Sequence, residues 1–433
     1  MRAGLTRQAL KANPYAFVGP FVTQVLAAAL VTGSLGAQRA LGNLGDSAVS
    51  EMATIFLLLS IYLSVIIVGV TMGASIARQA ADIALARTIG ASPWQVRRAV
   101  AGQAMLVAVP ATLVGVPLGS LGGRAWIHAL VTHGVVPAGV HYQGHPAALP
   151  IALAIAVGTS LPGTLIAAVR PSRARPAIAL AEADAPRRRI GVVRTAIGLV
   201  LVAAGAVMSV LISRLDAQDA ANEGFVVALA MCVGAGFLAP ALLRAASPVV
   251  RLAGPVGRLA ADHLAVRART YSGAMVPLTL AAAFTAVQVF MQTTPVHVTG
   301  VPQPADEVWT DYSGTAVYAA FAAVAALNTL INATVARRRD LAVTRLAGGT
   351  RGRVLGVVFC EALLVTGTSL VVAAVVAGTI LLPMLHTALG TWWPWMPASY
   401  LVGGVLATTA LVLAGTVLPA AAGMRRPAVE VAG

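Results

Sequence analysis

Apolar residues are grouped along this chain in ten long runs, separated by shorter polar segments. A helix needs roughly 20 apolar residues to cross the ~30 Å hydrocarbon core of a bilayer, and each run reaches about that length. Because lipid offers the backbone no hydrogen bonds, we expect every run to be an α-helix. The predicted fold is therefore an all-α, polytopic membrane protein with ten transmembrane helices. The predicted spans are 15–37, 52–76, 99–122, 148–169, 194–213, 224–243, 272–292, 314–335, 358–383 and 399–421.

The composition agrees with this pattern and narrows the range of functions. Of the 433 residues, 58% are hydrophobic and only 10% are charged. Soluble domains carry about 25% charged residues, so a water-soluble enzyme is excluded.

Basic residues are distributed unevenly between the two sides of the predicted membrane. If the N-terminus is cytoplasmic, all but three of the 30 Lys and Arg residues lie on the cytoplasmic side, the exceptions being Arg39, Arg124 and Arg214. This positive-inside pattern predicts that both termini are cytoplasmic. The net charge of +15 then faces anionic lipids and cytoplasmic partners rather than nucleic acid. A single lysine with abundant Ala, Val and Gly is typical of a GC-rich bacterial genome, so we expect a bacterial cell membrane.

The chain contains an internal repeat. A shift of 258 residues aligns segment 82–90 with segment 340–348 without a gap. A second match joins 175–178, after the fourth span, to 426–429, after the tenth. We therefore expect two parallel four-span units on either side of a two-span insert. The predicted divisions are a first unit over 1–180, a linker and insert over 181–250, and a second unit over 251–433.

The first copy of the repeated segment predicts a short helix, a tight turn and a second helix that runs into the membrane. Asp82 is a suitable N-cap for the short helix, and Gly90 suits the left-handed cap that ends it. Ser92 can then begin the next helix in a capping box with Gln95, with Pro93 at the first helical position.

The second copy keeps these features with one change. Asp340 and Gly348 occupy the positions of the N-cap and of the C-terminal cap, and Thr350 takes the place of the capping serine. Arg353 stands where the first copy has a glutamine, so the capping box is incomplete there. We expect both elements to lie at the inner membrane face.

Residues in both copies resemble the FtsX-like permease family, the membrane subunits of ABC transporters of the MacB and lipoprotein-exporter type. The family motif is a basic cluster, an acidic residue, a Leu/Ala/Arg helix, a Gly-Ala-Thr/Ser turn and a helix that enters the membrane. Segment 337–350 followed by 361–364 carries this motif almost entire. Segment 78–93 followed by Gln103 carries it with glutamine in place of Glu361.

The resemblance implies that the short helices dock on a separate ABC ATPase subunit and pass its closure to the transmembrane helices. Since one chain carries both elements, it implies two copies of that subunit, with ATP and Mg²⁺ bound there and no cofactor in this chain. Only 38–51 separate the first two spans, so the large external domain of many relatives is absent. The residues implied in coupling are Asp82, Arg87, Gly90, Ser92, Gln95, Asp340, Arg345, Gly348, Thr350 and Arg353.

An ATPase site within this chain is not indicated. A phosphate-binding loop is rich in glycine and ends in Lys followed by Ser or Thr, and the only lysine, Lys11, follows no such loop. We therefore predict a permease subunit, not an enzyme, for export or extraction of a hydrophobic or amphipathic drug, peptide or lipid. Two alternatives stay open: a non-transporting subunit that transmits mechanical signals in an ABC-type complex, and an ion-coupled secondary transporter with parallel repeats.

Three polar residues in the predicted spans are candidates for a role within the membrane. Glu361 lies near the cytoplasmic end of the ninth span, where an ionisable group is a functional candidate. A structural alternative pairs it with Arg345 or Arg353. Asn328 and Asn332 share one face of the eighth span and could line a substrate path, although hydrogen bonding between helices is the favoured role.

Four histidines in the outer loop between the third and fourth spans are the weakest candidates. No cysteine or paired carboxylate lies near them, so solvated loop residues are favoured over a metal site and no metal is predicted. These residues are His128, His133, His141 and His145.

Overall fold

A computed structural model of the chain describes residues 15–42, 44, 47–173, 191–212 and 217–425. Its regular structure in these ranges is entirely helical, with twelve α-helices and one 3-10 helix at Arg251–Ala253. The α-helices are α1 (Tyr15–Leu41), α2 (Ser47–Arg78), α3 (Ala80–Thr88), α4 (Pro93–Thr132), α5 (Ala148–Arg173), α6 (Val192–Ile212), α7 (Ala217–Val250), α8 (Gly254–Thr299), α9 (Ala305–Ala336), α10 (Arg338–Leu346), α11 (Arg351–Leu389) and α12 (Ala398–Gly423).

Ten of the described helices are long and apolar enough to cross a membrane. This confirms the predicted all-α fold with ten transmembrane helices. Several helices are longer than predicted: α4 continues to Thr132, past the predicted end at 122, and α8 begins at Gly254, before the predicted start at 272. Hydropathy marks only the part of a helix that lies in lipid, whereas the backbone hydrogen bonds continue beyond it.

The helices divide into two compact units. The first comprises the described residues of 1–186 and 305–314. Its long helices α1, α2, α4 and α5 pack side by side, and the short helix α3 contacts α2, α4 and α5. The most extensive contact is between α1 and α4, where a Cβ atom added to Gly119 would collide with the backbone of Ala29. Glycine therefore permits this close approach of two helices.

The second unit comprises the described residues of 187–304 and 315–433. Within it α8 packs on both α7 and α11, and α6 packs on α7. Its core includes Leu264 of α8, Leu330 of α9 and Val365 of α11. The two helices of the expected insert, α6 and α7, thus contribute to the packing of this unit. The predicted three-part division of the chain stays a prediction.

Candidate functional site

Two segments, one in each unit, consist of a short helix, a glycine turn and the start of a long helix. In the first, α3 ends in a Schellman motif. The amides of Gly90 and Ala91 donate to the carbonyls of Arg87 and Ala86, both at 3.1 Å. Gly90 has a φ of +101°, a conformation that strains any residue with a side chain. The predicted left-handed glycine cap is confirmed.

The turn is followed at once by a capped helix start. Ser92 Oγ accepts a hydrogen bond from the amide of Gln95 at 3.2 Å, and Gln95 Oε1 accepts one from the amide of Ser92 at 2.9 Å. The predicted capping box is confirmed, with Pro93 at the first helical position. Adjacent residues therefore satisfy several of the backbone groups that the two helix ends leave free at this turn.

The second unit repeats this geometry at the same shift of 258 residues. Here α10 ends at Leu346, Gly348 in the following turn has a φ of +93°, and the same two backbone hydrogen bonds close the last turn of the helix, both at 3.1 Å. Thr350 Oγ1 accepts a hydrogen bond from the amide of Arg353 at 3.3 Å. The cap is present without a reciprocal bond because an arginine side chain has no acceptor.

The starts of the two short helices differ from the prediction. Asp82 and Asp340 are the third residues of α3 and α10, not their N-caps. The N-cap positions hold Gln79 and Arg337, and neither makes a side-chain cap. A cap is unnecessary because each short helix directly follows a long one. The amides of Gln79 and Arg337 donate to carbonyls three residues earlier, at 3.0 and 3.3 Å.

One apolar side chain anchors each short helix to its own unit. Ile83 of α3 is buried against the first turns of α4 and the end of α5. Leu341 of α10 is buried in the same way against α11 and α12. Burial of a side chain of this size contributes about 1.5–3 kcal/mol. The matched contacts on α4 and α11 are Val96 and Val100, and Val354 and Val358.

The other face of each element is exposed. In the first element Leu85, Ile89 and Trp94 are exposed, and the accessible fraction of Ile89 is 82%. In the second, Val343 and Leu346 are exposed. Adjacent apolar side chains at a surface are typical of an interaction site.

Glu361 is buried in α11 and is contacted by three side chains. Arg337 Nη1 donates to its Oε2, and the hydroxyl of Tyr271 donates to the same oxygen at 2.9 Å. His263 Nδ1 lies 3.4 Å from Oε1. The guanidinium carbon of Arg337 is 5.6 Å from the centroid of the Tyr271 ring, within the range of a cation–π interaction. This buried cluster joins α8, α11 and the junction between α9 and α10.

The predicted pairing of Glu361 with Arg345 or Arg353 is wrong. Arg345 Nη1 donates instead to the carbonyl of Met424 at 3.3 Å, and Arg353 is exposed. Arg353 precedes Glu361 by eight residues, about 12 Å along a helix, so its guanidinium lies toward the start of α11. Arg337 forms the pair because it stands at the α9–α10 junction and is itself buried.

The first unit has neutral side chains at the matched positions. Gln79 stands where the second unit has Arg337, and Gln103 stands where it has Glu361. Nε2 of Gln79 and Oε1 of Gln103 are buried and have no hydrogen-bond partner among the described residues. Our sequence reasoning identified the exchange at Gln103 but missed Arg337. The sequence does contain a signal for this pair: both positions are glutamine in the first copy, and both are charged in the second.

Asn328 and Asn332 lie on one face of α9, and both are half-buried. Nδ2 of Asn332 donates to the backbone carbonyl of Asn328 at 2.9 Å and to its Oδ1 at 3.1 Å. The Asn332 amide group therefore donates within α9 and not to another helix as predicted. This is possible because residues four apart are neighbours on one helix.

The histidines of the predicted outer loop are dispersed. His128 lies on α4, which extends into the predicted loop. The ring of His133 stacks on Trp309 with centroids 4.0 Å apart, and His145 Nδ1 accepts a hydrogen bond from a backbone amide at 3.1 Å. His141 is exposed. In the described ranges, no group of three His, Cys, Asp or Glu side chains is arranged to hold a metal ion.

Comparison with known families gives one match. Residues 54–176 match the family model of the FtsX-like permease C-terminal domain. The matched segment runs from α2 to the end of α5 and includes the first short helix and its turn. No curated protein matches the chain.

The match confirms the predicted resemblance to the FtsX-like permease family. FtsX-like permeases are membrane subunits of ABC transporters and lack an ATPase site of their own. Together with the ten apolar helices, the match indicates a multi-pass membrane protein that is similar, over 54–176, to permease subunits whose family works with an ABC ATPase. The MacB or lipoprotein-exporter subtype stays a prediction.

Proposed function

We propose that this chain couples ATP hydrolysis by a separate ABC ATPase to the export or extraction of a hydrophobic or amphipathic substrate. The observation that carries the proposal is the duplicated element. Each unit holds a short helix of 9 residues, a glycine cap with positive φ and a side-chain cap on the next helix. Two copies of one docking element suit a pair of ATPase subunits, which bind the ATP and Mg²⁺.

Each element is built so that a displacement of its short helix by the ATPase is transmitted to the long helix that follows. Ile83 and Leu341 fix the short helices to the starts of α4 and α11, and the caps leave few free backbone groups at which the turn could unwind. Displacement of α3 or α10 therefore displaces the start of the following helix. At 40 residues, α4 is about 60 Å long and reaches across the whole bilayer.

The exposed side chains support a partner on this face. Leu85, Ile89 and Trp94 in the first element, and Val343 and Leu346 in the second, give apolar contacts to an ATPase groove. The positive-inside pattern supports a cytoplasmic position for these elements and for both termini.

The substrate class is inferred from the surfaces of the chain that a ligand could contact. The helices are apolar, and the segments predicted to lie outside are too short for a folded binding domain. A small polar solute needs polar groups along its path, whereas a drug, peptide or lipid with an apolar body is soluble among such helices. The substrate is therefore proposed to be hydrophobic or amphipathic.

The first test is purification of the tagged chain from its native membrane with identification of accompanying proteins by mass spectrometry. We expect a partner with a phosphate-binding loop, two copies per chain, and ATPase activity that vanadate inhibits. An intact, folded chain with no ATPase would overturn the proposal. ATPase activity without movement of any lipid, peptide or drug would favour the signalling alternative.

The second test separates coupling from folding. Valine at Gly90 or Gly348 should uncouple ATP hydrolysis from transport, because a positive φ costs a residue with a side chain about 1–2 kcal/mol. Gly134 and Gly390 are matched controls. They follow the far ends of α4 and α11, the long helices that begin after the two short-helix turns, and their φ values are +77° and +67°. An added Cβ contacts nothing within 4 Å at any of the four positions. Equal loss of coupling in all four valine variants would contradict a special role of the short-helix turns.

A further inference from the structure

The buried Arg337–Glu361 pair is placed where the second short helix leaves the membrane spans. Arg337 ends α9 and begins α10, and Glu361 lies in α11. Tyr271 of α8 donates to the same carboxylate oxygen as Arg337. One carboxylate therefore connects α8, α11 and the junction between α9 and α10. We call this junction the root of α10, and the matched junction between α2 and α3 the root of α3.

At the two matched positions the first unit has uncharged side chains. Gln79 stands at the root of α3, and Gln103 lies in α4. Each has a buried amide atom without a hydrogen-bond partner among the described residues, a donor on Gln79 and an acceptor on Gln103. The two roots have the same backbone hydrogen bonds, and at the two matched side-chain positions they differ in charge.

A buried ion pair resists separation more strongly than two buried uncharged side chains. Separating the ions leaves a charge uncompensated in a region of low dielectric, whereas separating two amides leaves only neutral polar groups. Arginine in addition does not lose its proton in proteins. The root of α10 is therefore much harder to open than the root of α3.

We infer that Arg337 and Glu361 are positioning residues that clamp the second short helix to α8 and α11, so that the two coupling elements are mechanically unequal. The clamped element moves together with the spans of its unit, and the first element moves more freely. The functional part of this inference rests on the proposed coupling to an ATPase. The mechanical part concerns the chain alone.

Hydrogen exchange of the full chain in lipid nanodiscs tests the mechanical part without an ATPase. In the wild type, amides of α10 should exchange at least about tenfold more slowly than amides of α3, after correction for intrinsic rates. Glu361→Gln and Arg337→Gln should each raise exchange in α10 above that in α3, since each leaves one charge unpaired. The double variant R337Q/E361Q reproduces the neutral pair, so its α10 should exchange within about threefold of α3.

Two further variants complete the design. The reciprocal transplant Q79R/Q103E should slow exchange in α3 and leave α10 unchanged. Arg251→Gln breaks an Arg–Asp pair in the same unit, with Asp262 at 3.3 Å and side chains 56% and 67% exposed, and should change neither helix. The inference is overturned if wild-type α10 exchanges no more slowly than α3, or if R337Q/E361Q keeps the wild-type rate. Should the single variants not fold, the double variant and the transplant still decide between these results.

A readout in the assembled complex tests the functional part. Trapping the copurified ATPase with ADP and vanadate should change exchange in α10 and in the first turns of α11 together in the wild type. In R337Q/E361Q the change should stay in α10. An equal response of both helices in wild type and double variant would overturn the coupling role. If no ATPase accompanies the chain, the proposed function fails, and the exchange comparison between α10 and α3 still decides on the clamp.

Discussion

The two short-helix elements have the same backbone and different attachments. Their helices, Ala80–Thr88 and Arg338–Leu346, are related by the repeat shift of 258 residues, and the backbone hydrogen bonds that begin and end them coincide pair by pair. At the root, the first element has two glutamines and the second has an arginine and a glutamate. The exposed face of the first is apolar, with Ile89 and Trp94, where the second has alanine and glycine.

This difference separates two properties of a docking element. Its shape depends on a few local residues: a glycine at positive φ, a capping hydroxyl and one apolar anchor. Its mobility depends on the side chains that tie it to the spans. The repeat keeps the first set and varies the second. Two halves of one chain can thus share a geometry and still respond differently to the same partner.

The largest loss of stability is expected when a charged residue is introduced at the root of α3, where positions 79 and 103 are both glutamine. Gln103→Glu places a carboxylate at a buried position while position 79 holds glutamine instead of arginine, and should lower the free energy of unfolding by about 3 kcal/mol. Denaturant titration of the purified chain measures this loss. Addition of Gln79→Arg should recover at least half of it. A double variant no more stable than the single one would show that positions 79 and 103 are not paired in the first unit.

An intermediate effect is expected where the copies differ in helix packing. Gly119 of α4 corresponds to Ala377 of α11 under the repeat shift, and an added Cβ at Gly119 meets the backbone of Ala29. Gly119→Ala should therefore destabilise the chain by about 1–3 kcal/mol, because backbone has to move.

The matched change in the second unit has a different cause. Ala377→Gly should cost about 2 kcal/mol, since it lowers helix propensity and removes a buried methyl group that packs in a cluster with Leu381 and Leu385. Thermal unfolding of both variants in the same detergent compares them. A neutral or stabilising Gly119→Ala would contradict the close approach of α1 and α4.

The smallest effect is expected at the two helix caps. Ser92→Ala removes a capping box and should cost about 1 kcal/mol, whereas Thr350→Ala removes a single bond and should cost about 0.5 kcal/mol. The amides of Gln95 and Arg353 donate hydrogen bonds to the two capping hydroxyls. Their hydrogen-exchange rates therefore measure the two losses. A larger loss at Thr350 than at Ser92 would show that the glutamine of the box adds nothing.

Much of the candidate site was predictable because its defining interactions are local. Gly90, Ser92 and Gln95 lie within six residues of one another, and their roles follow from general rules of helix ends. The N-cap role predicted for Asp82 was wrong for a reason that is also local. A residue rule for helix starts assumes that a loop precedes the helix, and here the preceding helix α2 supplies the carbonyl acceptors.

The partner of Glu361 was not predictable in the same way. Arg345 and Arg353 are nearer to it in the sequence than Arg337, which is 24 residues away, and Tyr271 is 90 residues away. Which of several arginines reaches a buried carboxylate depends on how four helix segments pack. Only the joint change of positions 79 and 103 to charged residues in the second copy indicated the pair.

The spans, the repeat and the capped glycine turns can be obtained from the amino-acid sequence, because bilayer thickness and helix-end chemistry act on residues close together in the chain. The long-range contacts came from the fold. These include the attachment of α6 and α7 to the second unit, the close approach of α1 and α4, and the buried cluster around Glu361. Apolar helices in lipid have many partners of similar hydrophobicity, so their pairing is selected by the fit of small residues and buried polar groups between distant segments.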